Sequence, residues 1–324
     1  MVRDAGLSDL PLDQVRTLLA VVDEGTFDAA ALALHVTPSA VSQRVKALEQ
    51  RTGRVLLMRT KPVRPTESGE VLVRMARQMA RLERDAFAEL GLTADGAPAR
   101  VSVAVNADSL ATWFLDALTQ LPRESGPALE LRREDEDHTA ALLREGVVMA
   151  AVTSSPDAVP GCSVRPLGRM RYLPVAAPEF VVRYLRGREL REALAEAPVI
   201  AFDRRDDFQD DFVRQLGGGP AGAGGPGGAS GPGGASGPGG ASARRHFVPA
   251  SEGFLGCVLA GLGWGLVPEA QAEPLVRAGQ LEHLAAAGRP VDMPLYWQQW
   301  KLDSPALSAV AGAVLKAAAK SLRP

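Results

Sequence analysis

The sequence predicts an α/β protein in two parts: a small helical head carrying a short strand pair, and a larger domain in which strands and helices alternate. Three observations predict it. Residues 12 to 53 hold three closely spaced helix patterns with their own capping residues. A single long amphipathic pattern follows from Glu67 to about Leu90, and from residue 101 short apolar runs alternate with helical ones. At 324 residues the chain is long enough for two or three domains. Its 46% hydrophobic and 23% charged content is that of a soluble globular protein, without an apolar run long enough to span a membrane. The opening MVRDAGLSDLPLDQ lacks the basic and apolar regions of a secretory signal, so a cytoplasmic location and no membrane partner are expected.

In the first helix, LDQVRTLLAVVDEGTF places Leu12, Val15, Leu18, Leu19 and Val22 on one face and stops at Gly25. Thr26 is placed to cap a second, Ala-rich helix that ends near His35 and Val36, with Ala29, Ala30, Ala33 and Ala40 small enough for close helix packing. The third helix is TPSAVSQRVKALEQRTG. Thr37 is its N-cap, Pro38 fits the first helical position, and Gly53 supplies the left-handed stop. Val41, Val45 and Leu48 form its buried face, while Ser39, Ser42, Gln43 and Lys46 share another. VLLMRTKPVRPT then reads as a strand pair or loop, a wing beside that helix.

The net charge of −2 hides a strong local imbalance. Between Thr37 and Arg64 stand seven basic residues, Arg44, Lys46, Arg51, Arg54, Arg59, Lys61 and Arg64, against the single acid Glu49. One such residue is usually a solvated face; seven around a helix-turn-helix point to phosphates. The expectation is that the third helix enters the major groove of double-stranded DNA with Thr37, Ser39, Ser42, Gln43 and Lys46 toward bases or nearby phosphates, Gln43 being suited to adenine through its amide. Arg44 then reaches a base or the backbone, and Arg59, Lys61 and Arg64 reach phosphate or the minor groove.

Leu72, Met75, Met79, Leu82 and Ala86 are spaced 3, 4, 3, 4, a heptad seam that predicts a dimer helix; the alternative is one amphipathic helix packed on its own domain. TADGAPA reads as a hinge. Beyond it, VSVAVNA, LELRRE, VVMAAVTS, YLPVAAP, PVIAF and RHFVP are strand candidates that alternate with helices, and a parallel sheet is expected. Such sheets bind ligands at the carboxyl ends of their strands. Asp108, Glu134, Glu136, Asp137 and Asp203 follow strands there, so a group of acids suited to an ammonium or guanidinium is expected, with Ser109 at a helix start for a carboxylate and Thr153 a weaker candidate. Trp113 and Trp264 are read first as core and second as cover for an aliphatic stem. The GPGGAS repeats within residues 217 to 243 are a flexible surface insert outside the fold.

No cofactor or metal is expected: the four histidines lack ligand spacing, Cys162 and Cys257 match no metal or redox motif, and no phosphate loop or nucleophile elbow is present, which argues against an enzyme. A transporter binding protein would not need the basic head. A broad-specificity nucleoid-associated or replication-modulating DNA-binding protein is the remaining alternative.

FDAAALALHVTPSAVSQRVKALEQRTGRVLLMR and VRPTESGEVL resemble the winged helix-turn-helix, wing and linker-helix start of the LysR-type transcriptional regulators. TPSAVSQRVKALE, MRTKPVRPTESG, VNADSLATWFL, EDEDHT, GCSVRPLGRMRY and ASEGFLGCVLAGLGWGLVPE are similar to its lysine- and arginine-responsive ArgP/LysG branch. The resemblance implies a DNA-binding domain over 8–66 and a linker and dimerisation helix over 67–92. It further implies a periplasmic-binding-protein-like effector domain over 98–305, with lobes of about 98–170 plus 270–305 and 171–269. It implies a homodimer or homotetramer that binds a promoter operator, senses lysine or arginine and controls an amino-acid exporter or biosynthesis gene, with RNA polymerase a further partner. Pocket positions in the family fall on Asp108, Ser109, Glu134 to Asp137 and Asp203. Pro38 departs from the family's usual Gln, so base readout shifts to its neighbours.

Overall fold

The computed structural model describes residues 10–90, 99–124, 126–133, 136–217, 244–284, 291–302 and 304–324. The glycine-rich insert, the centre of the expected hinge and Glu134 lie outside them. The chain forms two compact units, residues 1–99 with 141–149 and residues 100–140 with 150–324.

The first unit begins with α1 (Leu12–Glu24), α2 (Phe27–Ala33) and α3 (Pro38–Thr52), as the caps predict. Thr26 and Thr37 each accept a hydrogen bond from the backbone N–H three residues on, and Gly25 and Gly53 end α1 and α3 in the left-handed region. Each threonine cap stabilises its helix by about 1 kcal/mol. Leu18, Val21, Ala30, Val41 and Leu48 are completely buried together. Ala33, expected at a close approach, is exposed; Ala31 takes that place in the core. The wing is β1 (Leu57–Met58) paired antiparallel with β2 (Arg64–Pro65), and α4 (Glu67–Glu89) follows.

In the second unit β3 (Arg100–Val105) leads into a broken helix: α5 (Ala107–Ser109), a π-helical turn over Leu110–Phe114 and α6 (Leu115–Leu118). Next come β4 (Ala128–Arg133), α7 (Glu136–Glu145), β5 (Ala150–Thr153) and the long β6 (Cys162–Ala176). After β6 stand α8 (Pro178–Tyr184), α9 (Leu190–Glu196), β7 (Val199–Ala201), α10 (Phe208–Leu216) and β8 (Arg245–Phe247). The chain continues through α11 (Ser251–Leu259), β9 (Gly265–Pro268), α12 (Glu269–Arg277), β10 (Glu282–His283), β11 (Val291–Trp300) and α13 (Pro305–Ser321).

The expected all-parallel sheet is corrected to a mixed one, ordered β10-β6-β11-β5-β3-β4 with β9 also on β6. Only β3, β4 and β5 run parallel to one another within it; the whole of β11 returns antiparallel along the first part of β6, from Val291 opposite Tyr172 to Trp300 opposite Cys162. The end of β6 is the expected strand YLPVAAP, but its first ten residues and all of β11 were not expected as strands, because arginines and prolines interrupt the apolar positions there. A separate parallel pair, β7 with β8, sits against a second apolar cluster of Ile200, Phe254, Val258, Val267 and Leu281. Helix α13 carries this unit beyond residue 305, burying Leu307, Val310 and Val314. Among the described residues no helix is long and apolar enough to cross a membrane.

Candidate functional site

Two arrangements carry chemistry, one in each unit. In the first, α3 presents Ser39, Ser42, Gln43 and Lys46 exposed, opposite its buried valines and leucine. Thr37 has a structural task, since its Oγ1 accepts from the Ala40 N–H at 3.2 Å. Arg44 is half-buried with its Nε 3.6 Å from Asp13 of α1, so its reach toward DNA competes with a pair inside the head. The wing holds Arg59, Lys61 and Arg64 in solvent. It is tied down at several points: the Val63 N–H donates to the Gly25 carbonyl at 2.8 Å, the Leu56 N–H to Glu49 Oε1 at 2.8 Å, and the Thr66 hydroxyl to the Val55 carbonyl at 2.7 Å. Exposed cations on a wing fixed to the same core as an exposed polar helix face form a rigid cationic surface.

The expected dimer seam on α4 divides. Leu72 and Met75 are partly buried against the head's own core, Met79 lines a groove between α1 and α4, and Leu82 stands exposed with Val71 and Phe87.

In the second unit a small cavity opens at the carboxyl ends of β3, β7 and β8, where a sheet of this kind offers a crevice. Asp108 follows β3; Phe202 and Asp206 follow β7; Ser251 and Phe254 start α11 after β8. Tyr172 of β6 donates its hydroxyl to Asp108 Oδ2 at 2.9 Å and stacks edge-on against Phe208. About 20 Å³ is enclosed, room for little more than one water molecule, so a ligand with an aliphatic stem enters only when the walls part.

Both acids are held in a poorly solvating place. Burial pushes the Asp108 carboxyl above its ordinary range, against the hydrogen bonds from Ser251 and Tyr172 that favour its ionised form. Burial pushes Asp206 up to about 6, opposed by the N–H groups of Phe202 and Phe208 and reinforced by the negative charges of Asp203 and Asp108. Elsewhere in this region acids are matched: Asp210 pairs with Arg245 and Asp211 with Arg214. Neither Asp108 nor Asp206 is in an ion pair with a lysine or arginine among the described residues. Asp206 is buried and Asp108 partly buried, and a pair of acids without a cationic partner among the described residues is an arrangement whose charge suits a cation.

The structure distributes the other expected residues differently. Asp203 does not line the cavity; its Oδ1 accepts from the N–H groups of Arg205 and Asp206 and closes the local turn. Ser109 is buried next to Asp108 in sequence, its N–H given to Asn106 Oδ1 and its hydroxyl without a partner among the described residues; it too is absent from the cavity wall. Thr153 is committed to the Ser155 carbonyl and the Gln298 amide, so its side chain serves the loop after β5. Glu136 and Asp137 begin α7, and Glu134 lies outside the described residues. Trp113 and Trp264 are core residues. Sequence reasoning missed Asp206, Gln209, Tyr172 and Ser251. FDRRDDFQDDF offers five aspartates, and only the turn after β7 decides which of them faces inward.

Residues 12–70 match the family described as bacterial regulatory helix-turn-helix protein, lysR family. The chain is 43% identical over 314 residues to the lysine export transcriptional regulatory protein LysG of Corynebacterium glutamicum, covering 96% of this chain and 99% of the relative. Its structure is similar to that of ArgP from Mycobacterium tuberculosis, with a TM-score of 0.82 and 45% identity over 96% of this chain and 98% of that one. It is also similar to full-length LysG from Corynebacterium glutamicum with the effector arginine bound, with a TM-score of 0.79 and 42% identity over 97% and 100% of the two chains.

Proposed function

The chain belongs to the LysR family of bacterial helix-turn-helix transcriptional regulators, and on that premise we propose that it is a cytoplasmic regulator that reads promoter DNA as a homodimer or homotetramer and senses arginine or lysine. It acts by binding and not by catalysis. Its target is a gene of basic amino-acid export or synthesis, as the name of the Corynebacterium relative suggests by analogy. Ser39, Ser42, Gln43 and Lys46 face base edges, and Arg59, Lys61 and Arg64 hold phosphates. The helix from Glu67 serves as linker and dimer contact, and the unit from residue 100 onward as effector domain.

One observation carries the effector reading: Asp108 and Asp206 share a small cavity, and neither has a neutralising cation among the described residues. An ammonium or guanidinium entering between them replaces a desolvated repulsion by charge-assisted hydrogen bonds. The experiment is a calorimetric titration of the full-length protein with L-arginine, L-lysine and the neutral L-norleucine. Arginine or lysine binds and norleucine does not, and Asp108→Asn weakens the basic ligand at least about tenfold while leaving operator affinity without effector unchanged. Equal binding of norleucine, or an Asp108→Asn variant with undiminished affinity, refutes the reading.

A further inference from the structure

The cavity wall holds a polar group that neither the fold nor the two acids account for. Gln209, in the first turn of α10, is 2% exposed and lines the same cavity as Asp108 and Asp206. Its Oε1 is buried and has no hydrogen-bond partner among the described residues. A buried amide oxygen with no protein donor costs stability unless something in the cavity donates to it, and its place in the cavity wall suits it to accept from a group that enters there. The neighbouring acceptors are already engaged: Asp206 takes the N–H groups of Phe202 and Phe208, and Asp108 takes the Tyr172 hydroxyl. A cationic head group brings several N–H donors into this wall, more than two carboxylates with prior partners satisfy well.

We propose that Gln209 is a specificity-determining residue of this cavity, its side-chain carbonyl accepting an N–H of the cationic head of a basic amino acid. The inference rests on the effector reading above and adds a division of labour to it. Asp108 and Asp206 respond to charge, whereas Gln209 responds to the presence of an N–H in one direction.

The test is titration of full-length wild type, Gln209→Met and Gln209→Leu with L-arginine and L-lysine, beside their thermal unfolding without ligand. Methionine keeps the length of the side chain and removes the acceptor. Both variants are expected to bind the preferred basic amino acid about ten- to a hundredfold more weakly. Their unfolding temperature without ligand is expected to be unchanged or higher, because the orphaned oxygen is gone. Unchanged affinity in both variants overturns the proposal, and so does a lower apo unfolding temperature in both, which is the mark of a structural role. A wild-type protein that binds neither amino acid overturns the effector reading and this inference together, whereas equal binding by wild type and variants overturns this inference alone.

Discussion

Without a bound cation, Asp206 penalises the fold at neutral pH. Its folded pKa, about 6, stands above the ordinary value of 3.8, so the folded chain holds that proton more tightly than the unfolded chain does. The ionisation penalty is absent below pH 3.8, grows as pH rises toward 6, and is fully present above it, on the order of 3 kcal/mol. A bound guanidinium reverses the balance and drives the carboxyl to ionise. Arginine binding at pH 6 is therefore expected to release about half a proton from Asp206, and binding at pH 8 close to none from that group. Calorimetry in buffers of different ionisation enthalpy measures this directly, and binding at pH 6 with no proton release places the cation away from Asp206. At this scale the sequence was only partly legible. Asp108, which follows a clear strand, lines the cavity, but the acid that lines it after β7 is three residues beyond the expected Asp203. Aspartates spaced so closely differ only in where a turn points them, and Asp203 spends its own carboxylate on making that turn.

The three head helices are where sequence and structure agree most closely, because they are specified locally: threonine caps begin α2 and α3, left-handed glycines end α1 and α3, and α1 and α3 each carry an apolar face of period 3.6. The joint between wing and linker helix is equally local but less visible. Thr66 caps α4 through the Gly69 N–H while its own N–H donates to the Leu56 carbonyl, and a Cβ on Gly69 would sit 2.0 Å from that carbonyl oxygen. Gly69→Ala is expected to lower stability by about 1–3 kcal/mol and to weaken operator binding by displacing the wing. Denaturant unfolding and gel retardation check both effects; an unchanged unfolding midpoint would show that the joint tolerates the methyl group. The helix expected to start at Ser109 is interrupted by a π turn over Leu110–Phe114, a backbone register that no residue type announces.

For the whole molecule, the seam on α4 predicted a dimer helix, and the fold divides its residues between two tasks. Leu72 and Met75 partly serve the head's own core, whereas Leu82, 47% exposed, and Ala86 face away from it. Leu82→Glu is expected to shift the assembly toward monomer at micromolar concentration while Leu72→Glu chiefly unfolds the head; sedimentation and thermal unfolding separate the two, and an unaltered assembly in Leu82→Glu removes that residue from the interface. The sequence by itself determined the helical head, its cationic face, the linker helix and the strand-and-helix texture of the second unit, because caps, charge clusters and periodic burial are set by neighbours along the chain. Only the tertiary structure decided that β6 and β11 pair antiparallel across more than a hundred residues, and that Asp108, Tyr172, Asp206, Gln209 and Ser251 meet in one cavity. The physical reason is that sheet register and the convergence of strand ends depend on which distant surfaces exclude water together, and no local pattern records that.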